Sequence, residues 1–119
     1  MNFRNLNVWQ LSIKLVEQIY LLTVKFPHEE KYGLTSQIRR SSISIPSNIA
    51  EGSSRKSQKE FAHFISIAIG SSFELETQLI IANKIRLIEQ KDFTEIAQML
   101  NHIQAILHSF KNKIIATNH

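Results

Sequence analysis

The sequence predicts an all-α protein, an antiparallel up-and-down four-helix bundle with a long third helix and a Pro-kinked second helix. Apolar residues recur every three or four positions over long stretches, which is the pattern of amphipathic helices. Glycine and proline are scarce, at three and two of 119 residues. Three short breaks divide the apolar pattern into four segments. Because this length suits a single domain, residues 1–119 are predicted to form one bundle.

The first predicted helix covers about residues 6–26 and the second about residues 34–51. Pro46 lies inside the second segment. Because proline lacks the N–H that would bond to the Ser42 carbonyl, we predict a kink or a restart there. The first helix carries a stripe at spacings of four and three residues, formed by Trp9, Ile13, Val16, Tyr20 and Thr23.

The third helix is predicted to follow a break at 52–56 and to begin with a capping box, in which Ser57 and Glu60 each bond to a backbone N–H of the other. Its pattern continues to about Glu89, which makes a helix of roughly 32 residues and about 48 Å. Asp92 is the expected cap of the fourth helix. The apolar seam of that helix repeats at spacings of four and three residues: Ile96, Leu100, Ile103, Leu107, Phe110 and Ile114.

The third helix is apolar on more than one side, since a second set of large residues lies off its main stripe. A surface helix normally offers a single apolar stripe. We therefore expect the chain to form a homo-oligomer; the alternative is that this helix is simply the central helix of a monomer. The second set is Ile67, Phe73, Ile80, Ile81, Ile85 and Ile88.

The formal net charge of +4 arises in one segment, because Lys31 to Lys59 holds six basic residues and only one acidic residue, Glu51. A basic cluster of this kind is typical of phosphate binding, although it also occurs on ordinary solvated surfaces. The candidate nucleic-acid contacts are Lys31, Arg39, Arg55, Lys56 and Lys59, with Lys84 and Arg86 further along the chain.

A second set of polar residues follows helical spacing within an apolar context. Burying an unpaired charge costs several kcal/mol, so if this face is inward Arg40 should pair with Glu74 or Glu51. We predict a structural network that fixes helix register, with direct ligand binding as the alternative. Its members are Gln37, Arg40, Ser44, Asn48 and Glu51 on the second helix, and Ser71, Glu74 and Gln78 on the third.

The sequence offers no pattern typical of an enzyme. It has no cysteine, no Gly-x-Ser-x-Gly elbow and no glycine-rich phosphate loop. Glu60 and His63 have the spacing of a di-metal ligand pair, but no second Glu-x-x-His follows. We therefore expect no catalytic residues, no cofactor and no metal. With no export signal or membrane span expected, the predicted location is the cytoplasm.

Two stretches of the chain, 32–52 and 67–78, carry a family resemblance. The first reads YGLTSQIRRSSISIPSNIAEG and the second IAIGSSFELETQ. Together with Lys59-Glu60-Phe61, they closely resemble the 23S rRNA intervening-sequence proteins. The resemblance implies a small up-and-down bundle that tends to form homopentamers, and no catalytic residues. The chain is also similar to the accessory variability proteins of diversity-generating retroelements, which implies nucleic acid and a reverse transcriptase as partners.

These observations lead to one functional hypothesis and one alternative. The hypothesis is a non-enzymatic, oligomeric bundle that binds the phosphates of structured RNA or DNA through a basic patch. The alternative is a scaffold that docks a partner protein on its apolar helix surface. No membrane partner is expected.

Overall fold

The structure is a computed structural model that describes residues 2–117. It confirms an all-helical four-helix bundle, with no strand in that range. Two 3₁₀ turns, Phe3–Asn5 and His28–Glu30, precede the first and second helices. The four helices are α1 (Asn7–Thr23), α2 (Leu34–Ser53), α3 (Gln58–Lys84) and α4 (Gln90–Ala116).

Each helix runs antiparallel to the next and packs against it, and α1 closes the bundle against α4. Side-chain hydrogen bonds fix the register between neighbours. The hydroxyls of Ser44 and Ser71 are 2.7 Å apart between α2 and α3. The Gln58 amide donates to the Thr117 hydroxyl at 3.1 Å, which joins the start of α3 to the end of α4. The resulting body is elongated, with extents of 49 × 23 × 21 Å.

The predicted seam of α4 is confirmed, since five of its six residues are buried and Phe110 is half-buried. The predicted stripe of α1 is wrong by one position. Trp9, Ile13 and Val16 are half-buried and Tyr20 is exposed; of that row only Thr23 is buried. The row that enters the core has the same spacing and starts one residue earlier: Val8, Ser12, Leu15, Ile19, Leu22 and Phe26.

The core row of α1 was difficult to predict from the sequence because it contains a polar residue, Ser12. A serine in an apolar row reads as a surface position, yet Ser12 is fully buried. Its hydroxyl donates to the Trp9 carbonyl at 2.7 Å, so the polar group is satisfied within its own helix. The burial of this hydroxyl therefore costs little.

The third helix ends at Lys84, five residues before the predicted limit. Arg86 has a positive φ of 67°. The Arg86 N–H bonds to the Asn83 carbonyl at 3.1 Å, and the Leu87 N–H bonds to the Ala82 carbonyl at 2.8 Å. These two bonds form a Schellman ending, which glycine usually provides. Because an arginine occupies the left-handed position where glycine is usual, the helix end could not be predicted from the sequence pattern.

The beginning of α4 is also displaced from its prediction, because the helix starts at Gln90. Glu89 occupies the N-cap position and makes no side-chain capping bond. Asp92, the predicted cap, lies instead in the first turn of the helix, where a negative charge is favourable to the exposed N–H groups. One of the two hydrogen bonds of the predicted capping box of α3 is confirmed, since the Ser57 hydroxyl accepts from the Glu60 N–H at 3.0 Å.

The second helix continues through Pro46 without a restart. Pro46 is buried against the rest of the bundle, so packing compensates for the hydrogen bond that proline cannot donate. The predicted kink stays a prediction.

The third helix is long and apolar enough to cross a membrane by length and composition. In the bundle 39% of that apolar stretch is buried, and α3 packs along α2 and α4.

Candidate nucleic-acid interface

The basic residues separate into two groups at opposite ends of the bundle. One end combines the start of α1, the end of α2, the start of α3 and the end of α4. We call it the basic end. It holds two acidic residues, Glu51 and Glu60, and six basic ones: Arg4, Arg55, Lys56, Lys59, Lys111 and Lys113. The excess of four equals the formal net charge of the whole chain, +4.

The opposite end is close to balanced. Its seven basic residues are Lys25, Lys31, Arg39, Arg40, Lys84, Arg86 and Lys91. Its five acidic residues are Glu29, Glu30, Glu89, Asp92 and Glu95. Basic and acidic groups are interspersed there, so phosphates approaching this end meet repulsion as well as attraction.

The residues predicted to form one basic patch therefore do not lie together. Arg39 and Arg55 are sixteen residues apart on α2 and its exit, a separation of roughly 24 Å at 1.5 Å per residue. Lys31, Arg39, Lys84 and Arg86 consequently lie far from Arg55 and its neighbours. Residues that are close in sequence were assigned to one surface, but a helix of this length carries them to opposite ends.

Arg55, Lys56 and Lys59 are exposed and lie together in the turn between α2 and α3 and in the first turn of α3. Arg55 pairs with Glu51 four residues earlier. Its guanidinium carbon also lies 4.8 Å from the centre of the Phe64 ring. An exposed ion pair contributes little to stability, so these contacts orient Arg55 more than they hold the fold together.

Arg39 has a structural role at the opposite end. Its Nε donates to the Thr23 hydroxyl at 2.9 Å, and its guanidinium carbon is 4.3 Å from the centre of the Tyr20 ring. Both partners belong to α1. Arg39 therefore fastens α2 to α1 and is less available to phosphates than an arginine without such partners.

Part of the predicted polar network is present between α2 and α3. Ser44 contacts Ser71, and the Asn48 amide donates to the Ser44 hydroxyl at 2.9 Å. Gln78 is buried and accepts from the Ser41 hydroxyl at 2.7 Å, a partner that the sequence prediction omitted. These bonds link the two helices and fix their register.

Four other predicted members of that network face solvent, so the burial on which the predicted pairing of Arg40 depended is not present. Gln37, Arg40, Glu51 and Glu74 are exposed. Within residues 2–117 the ion pair closer than 4.0 Å joins Glu51 to Arg55, and Arg40 pairs with neither Glu51 nor Glu74. The physical reason is position: this row lies on the outer edge of the α2–α3 pair, where water solvates the charges and no pairing is required.

The sequence prediction missed Arg4, Lys111 and Lys113 because they lie more than 45 residues from the Arg55 segment. Only the closed antiparallel topology brings the start of α1 and the end of α4 to the end of α2. In the described part of the chain, no group of three histidine, aspartate or glutamate residues is placed to hold a metal ion.

The fold and its surface define a small, basic, all-helical protein with charge concentrated at one end. The chain belongs to the family of 23S rRNA-intervening sequence proteins, whose sequence profile matches residues 4–109. It is also similar to a crystal structure of a protein of unknown function from the S23 ribosomal protein family of Bacteroides thetaiotaomicron VPI-5482. That likeness has a TM-score of 0.79 at 24% identity, over 87% of this chain and 97% of the other. The comparison with curated proteins finds no match.

Proposed function

We propose that this protein is a non-enzymatic, oligomeric bundle of the cytoplasm that binds structured RNA or DNA through the phosphates contacted by its basic end. The observation that carries the proposal is the excess of four positive charges at that end, compared with an excess of two at the opposite end. Lysine and arginine side chains that neutralise phosphates release condensed counterions, which favours binding without any reading of bases. The family's description, which refers to an rRNA insertion, is consistent with this class of ligand.

Self-association is part of the proposal, because large apolar side chains stay exposed along α3 and at Ile85, the residue that follows it. Ile67, Phe73, Ile80, Ile81 and Ile85 are between 37% and 55% exposed. A second apolar surface lies on a different side, as a groove of about 310 Å³ between α1 and α2. It is lined by Phe3, Trp9, Ile13, Val16, Ile43, Pro46, Ser47 and Ala50.

If the exposed α3 side chains of one copy pack into the α1–α2 groove of the next, the contact joins two different surfaces and is heterologous. Repeated contacts of this kind form a closed ring when the rotation between neighbouring copies is a whole fraction of a full turn. A homopentamer, as the family resemblance implies, would be such a ring. If the bundle axes run along the ring axis, the five basic ends share one rim. A weak charge per subunit is then repeated around that rim, which increases avidity for a polyanion.

A protein-binding scaffold is the second candidate function, and one observation favours it. A groove of about 490 Å³ between α1 and α4 is lined mainly by apolar groups, including Leu6, Val8, Ile106 and Phe110. A helix of a partner, including a reverse transcriptase if the gene accompanies a retroelement, would dock there through apolar residues. Recovery of a specific protein after nuclease treatment, with no nucleic acid bound, would favour this alternative.

A salt titration tests the proposed function. Binding of a fluorescent RNA hairpin is measured by anisotropy between 50 and about 200 mM KCl. We expect log Kd to rise linearly with log salt, with a slope of roughly 0.9 per neutralised phosphate. Undetectable binding at the lowest salt, or an affinity independent of salt, would contradict the proposal.

A further inference from the structure

A cavity of about 560 Å³ opens beside Phe64 at the basic end. It combines basic side chains with an aromatic ring, which a surface that contacts only phosphates does not need. Its lining residues are Arg55, Ser57, Lys59, Glu60, His63 and Phe64.

The Cβ atom of Phe64 packs closely against the last turn of α2. A Cβ atom added at Gly52 would lie 2.7 Å from the Phe64 Cβ and 2.9 Å from Phe61 Cδ1, so the two helices touch at this point. Phe61 is fixed in turn by an edge-on contact with Phe110, at 5.4 Å between ring centres. Phe64 is therefore a half-buried ring on a rigid support.

Arg55 is held on that ring from two directions. Its guanidinium carbon is 4.8 Å from the ring centre, and Glu51 binds one of its terminal nitrogens. The side chain stays 40% exposed, so the group is ordered without being enclosed. An arginine stacked in this manner loses little conformational freedom when it receives a ligand.

Lys59 and His63 form the other side of the cavity. They are four residues apart on α3, which places both on one face of the helix, and both are exposed. The His63 ring meets the Phe64 ring at 73° with 5.6 Å between centres. A planar ligand in this cavity would thus meet a cation, an imidazole and a phenyl group within one helical turn.

We propose that this cavity receives one unpaired nucleotide, with its base stacked on the Arg55–Phe64 pair and its phosphate on Lys59. The inference rests on the proposed function and adds a preference for single-stranded segments, such as loops and ends. Stacking on aromatic and arginine planes suits every base, so it requires no sequence specificity. A base inside a duplex is paired and stacked on its neighbours, and its faces cannot reach Phe64.

The test compares Phe64→Leu with the native protein on two probes, a 12-nucleotide single-stranded RNA and a blunt duplex containing the same strand. Leucine keeps the apolar packing but removes the ring. Because stacking contributes roughly 1 to 3 kcal/mol per base, we expect single-strand affinity to fall between about 5-fold and 150-fold. Duplex affinity should change less than about 2-fold, because the phosphate-binding cations remain.

Two further variants keep the comparison interpretable if Phe64→Leu is poorly folded. Tyr32→Leu removes an exposed ring beside a lysine at the opposite end of the bundle and should leave both affinities unchanged. Arg55→Lys keeps the charge but removes the planar group, so it should weaken single-strand binding alone.

Equal effects on both probes, or no effect of Phe64→Leu on the single strand, would overturn the inference. In that case salt-dependent duplex binding by the native protein would still support the proposed function. Absence of binding to either probe would overturn both.

Discussion

A variant in which Arg55, Lys56 and Lys59 are all changed to alanine is expected to bind an RNA hairpin at least roughly 100-fold more weakly than the native protein at 100 mM KCl. Each neutralised phosphate contributes close to one power of ten in counterion release at this salt concentration. Removal of three cations should also reduce the slope of log Kd against log salt by about three for each engaged subunit. Fluorescence anisotropy over a salt series measures both quantities.

The matched control removes the same charge from the opposite end. Lys25, Lys84 and Lys91 are exposed and are changed to alanine together. Because acidic residues surround them, we expect affinity to fall less than about 5-fold, mostly through the lower net charge. Equal losses in the two triple variants would mean that net charge alone drives binding, and that the basic end has no special role.

The second large effect concerns assembly. Ile81→Asp is expected to convert the proposed oligomer to a monomer of 13.7 kDa, because it places a charge within the exposed apolar face of α3. Burying that charge at an interface without a partner costs several kcal/mol. Size-exclusion chromatography with light scattering, at micromolar protein concentration, gives the mass directly.

Ile115→Asp is the matched control for this change. Ile115 is 45% exposed and Ile81 is 46% exposed, but Ile115 lies near the end of α4 and outside the α3 face. We expect Ile115→Asp to keep the native mass. A monomeric native protein, or dissociation of both variants, would contradict the proposed interface. Unchanged far-ultraviolet circular dichroism confirms that each variant is folded.

The α4 seam was predictable because only one row of that helix is continuously apolar. The α1 core row was not, since two adjacent rows share the same spacing and the aromatic residues favoured the wrong one. The core row includes Ser12, whose burial depends on a hydrogen bond to the Trp9 carbonyl. A hydropathy pattern treats serine as polar whether or not its hydroxyl is hydrogen-bonded within the helix, so it could not predict this burial.

The sequence predicted which basic residues could contact phosphates, but not at which end of the bundle each of them lies. The sequence identified Arg55, Lys56 and Lys59, which do lie together at the basic end. It also joined Arg39 to them, although Arg39 is stacked on Tyr20 at the opposite end. Local sequence shows which residues carry charge; the antiparallel path of the helices decides which charges share a surface.

Lysine labelling tests most directly whether nucleic acid binds at the basic end. Each end carries four lysines, so the two ends can be compared within one sample. The protein is treated with acetic anhydride with and without a saturating RNA hairpin, and modification is quantified by mass spectrometry. We predict that bound RNA protects four lysines at the basic end from acetylation: Lys56, Lys59, Lys111 and Lys113. We predict unchanged labelling at Lys25, Lys31, Lys84 and Lys91 at the opposite end. Protection at the opposite end, or uniform protection of these eight lysines, would contradict binding at the basic end.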